Sequence, residues 1–133
     1  MKPYKRNTFT KSERLCSKKV IEKLFDNGET LFAHPVKFVF TESEKSEVIY
    51  PAQVMFVVPK KLFRKAVDRN RLKRQMRESY RLCKNQFYEK CQQNNKNYAL
   101  AIIYVAKDFS QFSLTRKKIE LLLNQMEIGR AHV

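Results

Sequence analysis

Apolar residues recur along this chain with two different periods, and each change of period marks a new element. Over residues 18–27, Ile21, Leu24 and Phe25 share one helical stripe and Asp26-Asn27-Gly28 supplies a stop, which predicts a short amphipathic helix. Pro35 to Phe40 alternates as a strand, with Val36, Phe38 and Phe40 on one face and Lys37 on the other. Thr41 to Ser46 reads as a polar loop. Val48 to Val58, interrupted by Pro51, gives a second strand centred on Val54–Val58, after a short edge piece at Val48–Tyr50. From Ala66 to Lys90 the period becomes helical again: Leu72, Met76, Tyr80, Cys83 and Phe87 form a buried stripe. Asn70, Lys73, Arg74, Arg77, Arg81 and Lys84 gather on the opposite side at about 100° per residue. Residues 91–97 form a polar loop. Tyr98–Val105 is a strand apolar on both faces, and its small Ala99/Ala101 face suits a closely packed helix. Phe112–Met126, with Ile119, Leu122, Leu123 and Met126 in register, closes the chain with a third helix.

This order, α-β-β-(β)-α-β-α, predicts a small α+β two-layer sandwich with helices packed on a central, mostly antiparallel sheet. With 133 residues, the chain has the size of one domain, expected over 1–127. The last six residues, Ile128-Gly129-Arg130-Ala131-His132-Val133, are what ATC GGA AGA GCA CAC GTC encodes, a string that matches a sequencing-adapter oligonucleotide. They are expected to be a non-native read-through and are set aside from fold reasoning, so His132 is no candidate ligand. The longest apolar run, Tyr98–Ala106, is far shorter than the roughly 20 residues of a membrane span, and no secretory signal leads the chain. Cys16, Cys83 and Cys91 are odd in number and lack C-x-x-C spacing, which fits free thiols in a reducing compartment, the cytoplasm.

Charge changes the picture. The chain carries 28 Lys and Arg against 13 Asp and Glu, a net +15. Residues 1–23 hold eight basic and two acidic side chains, residues 60–84 eleven and two, and the remainder is balanced. Two cationic segments on a neutral body point to a polyanionic partner, nucleic acid, rather than to a merely solvated surface. The charged face of the long helix has no interleaved acids, so like charges three and four residues apart repel unless a polyanion neutralises them. Arginine predominates there, and its planar fork can grip phosphate through two hydrogen bonds. Asn70 adds an amide able to donate to phosphate or accept from a 2′-hydroxyl.

The run Lys65-Ala66-Val67-Asp68-Arg69-Asn70-Arg71-Leu72-Lys73-Arg74-Gln75-Met76-Arg77-Glu78 resembles the signature K-A-V-x-R-N-R-x-K-R-x-x-R-E of the protein subunit of bacterial ribonuclease P, and meets every fixed position. The resemblance extends from the first helix, ending Phe25-Asp26-Asn27-Gly28, to the final strand and helix. It departs just before the long helix, where the family often reads S-K-K-x-G-K and this chain has Pro59 and Leu62-Phe63-Arg64.

The resemblance implies a central sheet with helices packed on one side and a left-handed strand–helix–strand crossover through the basic helix. It also implies a division of labour. A partner RNA with bound magnesium (Mg2+) hydrolyses the bond that frees the 5′ end of transfer RNA, and the protein is an accessory subunit without catalytic residues. Lys60, Lys61, Lys65, Arg69, Asn70, Arg71, Lys73, Arg74, Arg77 and Arg81 are the implied contacts to that RNA. A cleft between sheet and first helix is implied for the single-stranded 5′ leader of precursor tRNA. Its matching positions are Ile21, Phe25, Phe38 and Phe40, of which the three phenylalanines equally suit ordinary core packing; single-strand binding needs flat apolar surfaces flanked by positive charge.

No independent catalytic constellation stands out. His34 sits beside Pro35 at a strand entrance, Asp68, Glu78 and Asp108 lack metal-ligand spacing, and there is no glycine-rich phosphate loop. Glu78 suits a local pair with Arg74 or Arg81. The alternative is a ribosomal or ribosome-assembly RNA-binding protein without an associated reaction. A DNA-binding protein ranks last, because no glycine-turn two-helix motif or dimer interface is evident.

Overall fold

The structure is a computed structural model, and it describes residues 9–43 and 50–126. Val48 and Ile49 of the expected edge piece and the tail 128–133 lie outside the described residues. The elements are α1 (Lys18–Asn27), β1 (Glu29–Ala33), β2 (Val36–Ser43), β3 (Ala52–Val57), α2 (Ala66–Gln93), β4 (Asn97–Tyr104) and α3 (Phe112–Gln125).

Helix α1 begins at Ser17, whose hydroxyl accepts from Val20 N at 3.4 Å. It ends at Gly28, whose N–H donates to Leu24 O at 2.8 Å. A Cβ on Gly28 would lie 2.3 Å from that carbonyl and 2.8 Å from Val39 Cγ1, so only glycine lets the chain turn into β1 here. The hydrophobic pattern does not single out β1: of Thr30, Leu31, Phe32 and Ala33, none is fully buried. Among the described residues this edge strand supplies the third strand before α2, and Tyr50, the one described residue of the expected edge piece, lies in a bend. Helix α2 continues to Gln93 and buries Cys91, which replaces the start of the loop expected over 91–97.

The sheet order is β1-β2-β4-β3. β1 and β4 flank β2 antiparallel, whereas β3 runs parallel to β4 and is joined to it through α2. Val54 reveals the hand of that connection. Its side chain joins the core on the α2 side, while its carbonyl accepts from Leu15 N at 3.0 Å outside the sheet. For an L-residue in an extended strand, this puts β4 to the left of β3, viewed from the α2 side with the strands running upward. The crossover is therefore left-handed, against the general rule.

Helices α2 and α3 cover one sheet face in the larger core, where Leu72, Met76, Tyr80, Ile119 and Leu122 meet Phe38, Leu100, Ile102 and Tyr104. On the other face α1 adds a partial cover: Leu24 packs with Val39, Ala99, Ala101 and Ile103. The small alanine face of β4 admits this close approach. The segment before α1 wraps the β3 edge. Phe9 packs edge-on to Phe56 and Tyr80 at 5.4 and 6.0 Å, Arg14 bridges to Val54, and Leu15 joins the α1-side core.

Candidate nucleic-acid interface

The loop entering α2 is built before the helix begins. Leu62 N and Phe63 N both donate to Pro59 O, closing a tight turn. Phe63 is drawn inward, 7 % exposed, and packs edge-on against Tyr104 at 5.7 Å. Arg69 Nη1 then donates to the carbonyls of Phe63 and Arg64 at 2.9 and 2.7 Å. Arg69 thus holds the loop in place, and Lys60, Lys61, Arg64 and Lys65 stand exposed around it.

On α2 itself, Asn70, Arg71 and Arg74 are exposed, and Lys73, Arg77 and Arg81 are half-buried. No carboxylate among the described residues pairs with Lys60, Lys61, Lys65, Lys73, Arg74 or Arg77. Their mutual repulsion is left to solvent or to a polyanion. Arg81 differs: its guanidinium forms a two-armed pair with Glu78, and that bond holds the Glu78 carboxyl below its ordinary range. Arg71 stacks over the ring of Phe109, 4.9 Å from the centroid.

Lys84 corrects the helical-wheel reading. Rather than joining the cationic face, its side chain is fully buried, with Nζ 2.5 Å from Glu13 Oε2. Tyr88 OH donates to the same oxygen at 2.5 Å, Tyr80 OH donates to Tyr88 at 3.0 Å, and Thr10 N donates to Glu13 Oε1 at 2.8 Å. The ammonium also lies over the rings of Tyr50 and Tyr88, at 5.7 and 5.2 Å. A wheel assigns a helix one buried side, but here the turn at Lys11–Glu13 covers a second flank of α2. Burial pushes the Tyr80 and Tyr88 hydroxyls well above their ordinary range.

The second candidate region is the sheet face under α1. Ile21 packs half-buried on that core, and Phe25 is 48 % exposed. Phe38 and Phe40 do not join them. Strand side chains alternate, and both phenylalanines point into the α2–α3 core, 0 % and 7 % exposed. They are core residues, because the face of β2 turned to α1 carries Lys37, Val39 and Thr41 instead. Phe32, 61 % exposed, pairs across with Lys37 and so shares that face. Met55 and Val57, half-buried, pack there from β3.

A model of the ribonuclease P family, described as Ribonuclease P, matches residues 9–127, all but the two ends of the chain. The chain belongs to the ribonuclease P protein family. It is similar to the ribonuclease P protein component of Chlorobium phaeobacteroides, 32 % identical, with 92 % of this chain and 90 % of that protein aligned. It is also similar to that of Porphyromonas gingivalis, 31 % identical over 84 % of this chain and 80 % of the relative. Among solved structures, the Staphylococcus aureus RNase P protein superposes with a TM-score of 0.68 at 18 % identity, covering 89 % of this chain and 98 % of that one. The RNase P protein from Thermotoga maritima gives 0.65 at 25 % identity, covering 86 % and 98 %.

As a ribonuclease P protein component, the chain is an accessory subunit of an endoribonuclease, and the ribosomal alternative is not favoured. Among the described residues, no group of three His, Cys, Asp or Glu is placed to hold a metal ion. No helix among them is long and apolar enough to cross a membrane. Sequence reasoning missed Phe32, Met55 and Val57 because their strand positions are apolar without clean alternation. The one available signal was Lys37, which marks the α1-facing positions of β2.

Proposed function

We propose that this chain binds the catalytic RNA of ribonuclease P through the loop 59–65 and the cationic face of α2. The observation that carries this reading is the row Lys60, Lys61, Lys65, Lys73, Arg74 and Arg77, paired with no carboxylate among the described residues, with Asn70 and Arg71 exposed beside it. Arg69 positions this surface through its loop carbonyls, and Arg81 contributes at the far end, with its charge partly offset by Glu78. The 5′ leader of precursor tRNA lies, in this reading, on the α1 side of the sheet. Ile21, Phe25, Phe32, Met55 and Val57 offer apolar surface there, and Lys37 offers charge. Magnesium and the hydrolytic step belong to the RNA, and the complex works in the bacterial cytoplasm.

Chemically, the protein acts by positioning. Neutralising phosphates lets two RNA molecules approach, and holding the leader aligns the scissile bond with the RNA's active centre. Reconstitution tests this. The protein is mixed with a bacterial ribonuclease P RNA and precursor tRNA at low magnesium, where 5′ cleavage is expected only with both components. Equal cleavage by the RNA with and without the protein refutes the reading.

A further inference from the structure

The loop after β4 carries an aromatic surface that the cationic row does not account for. Phe109 is 43 % exposed, yet its ring is packed against two neighbours. Beneath it lies Phe63, with ring centroids 5.1 Å apart, and beside it the Arg71 guanidinium at 4.9 Å. Tyr104 OH anchors the loop, donating to Asp108 O at 2.6 Å and accepting from Ser110 N at 2.9 Å. Phe63 is in turn fixed by Pro59, Tyr104 and the Arg69 clamp. The ring thus sits beside the Arg71 guanidinium at the start of the cationic helix, and Arg64, Asn70 and Lys107, the chain neighbours of Phe63, Arg71 and Asp108, are exposed.

Leaving a large ring exposed forgoes the stabilisation of burying it, and a cation–π contact at a surface site returns only about 0.5–1 kcal/mol. A packed ring beside a cation is the arrangement that stacks an unpaired base while its phosphates are neutralised nearby. We infer that Phe109, with Arg71 at its side and Phe63 as its support, is a stacking platform for one unpaired nucleobase of the RNA bound by α2. The inference rests on the RNA-anchoring reading above and adds a base contact to a surface otherwise described by charge. Unlike Arg74 or Arg77, which would meet phosphate, Phe109 would meet a base without releasing a counterion.

The test is equilibrium binding of the full chain to a bacterial ribonuclease P RNA over a salt series, for wild type and the variants Phe109→Ala, Phe109→Leu and Phe109→Tyr. Thermal unfolding confirms that each variant is folded. Phe109→Ala and Phe109→Leu are expected to weaken binding by about 5- to 150-fold with an unchanged slope of log Kd against log salt, and Phe109→Tyr to bind as wild type does. Wild-type affinity in Phe109→Ala overturns the platform. So does wild-type affinity in Phe109→Leu, which keeps apolar bulk but has no flat ring, or a shallower salt slope in either. Failure of the wild-type chain to bind this RNA at all refutes instead the anchoring reading on which the platform rests.

Discussion

Removing the Lys84 ammonium should unfasten the N-terminal wrap from α2. At an effective dielectric of about 20, two unit charges 2.5 Å apart attract by roughly 6–7 kcal/mol. Desolvating each ion costs several kcal/mol, so the intact pair is nearly balanced against an apolar replacement. The single variant is not balanced. Lys84→Met leaves the Glu13 carboxylate fully buried, still bonded to Tyr88 and Thr10 but without its counter-charge. Breaking one side of a buried pair costs about 3–5 kcal/mol, and the remaining donors place this case near about 3. In a domain of this size that lowers the midpoint by about 10–15 °C. Glu13→Leu should cost as much or more, since it removes the carboxylate that faces the buried ammonium. The double variant Glu13→Leu/Lys84→Met should return to within about 2 kcal/mol of wild type, because no charge is left buried. Urea unfolding of all four proteins closes the double-mutant cycle. A loss below about 1 kcal/mol in Lys84→Met, or strictly additive losses in the double variant, would refute this reasoning.

Arg74→Ala or Arg77→Ala should weaken RNA binding and reduce the magnitude of the salt slope by about one, measured by titration at several ionic strengths. Phe38→Ala should cost about 3–5 kcal/mol of stability by opening a cavity under α2, without altering the preference for substrates with leaders. Phe25→Ala should do the reverse: little change in unfolding, but selective loss on leader-bearing substrates in a cleavage assay. Stability should decline as pH rises above about 10. The Tyr80 and Tyr88 hydroxyls ionise in the unfolded chain near 10.0 but well above that in the fold, so their contribution is complete below that pH and is lost above it. Urea midpoints over an alkaline series, with Tyr88→Phe for comparison, would show it. Against a thiol-specific reagent at neutral pH, exposed Cys16 should react promptly, whereas Cys91, buried and pushed up to about 12, should react only as fast as the fold opens.

Periodicity alone determined much of this molecule. The spacing of Ile21, Leu24 and Phe25, of Leu72, Met76 and Tyr80, and of Ile119, Leu122 and Leu123 specifies three amphipathic helices, because a helix must bury one stripe to be stable. Charge clustering and the fourteen-position run from Lys65 to Glu78 specified the cationic helix and its family. Which residue faces which partner was decided elsewhere. Lys84 looks like one more member of the cationic face until the N-terminal turn brings Glu13 to it from 71 positions away. Phe38 and Phe40 look like leader contacts until the strand register turns them towards α2 and gives that face to Lys37 and Phe32. Phe109 gives no signal at all, for its meaning lies in Phe63 and Arg71, distant in sequence and adjacent only after β4 pairs with β3. Periodicity is a local property, fixed by backbone geometry, and so it is written in a single chain. The burial of a charge or the exposure of a ring depends on contacts between distant segments, and only their packing together decides it.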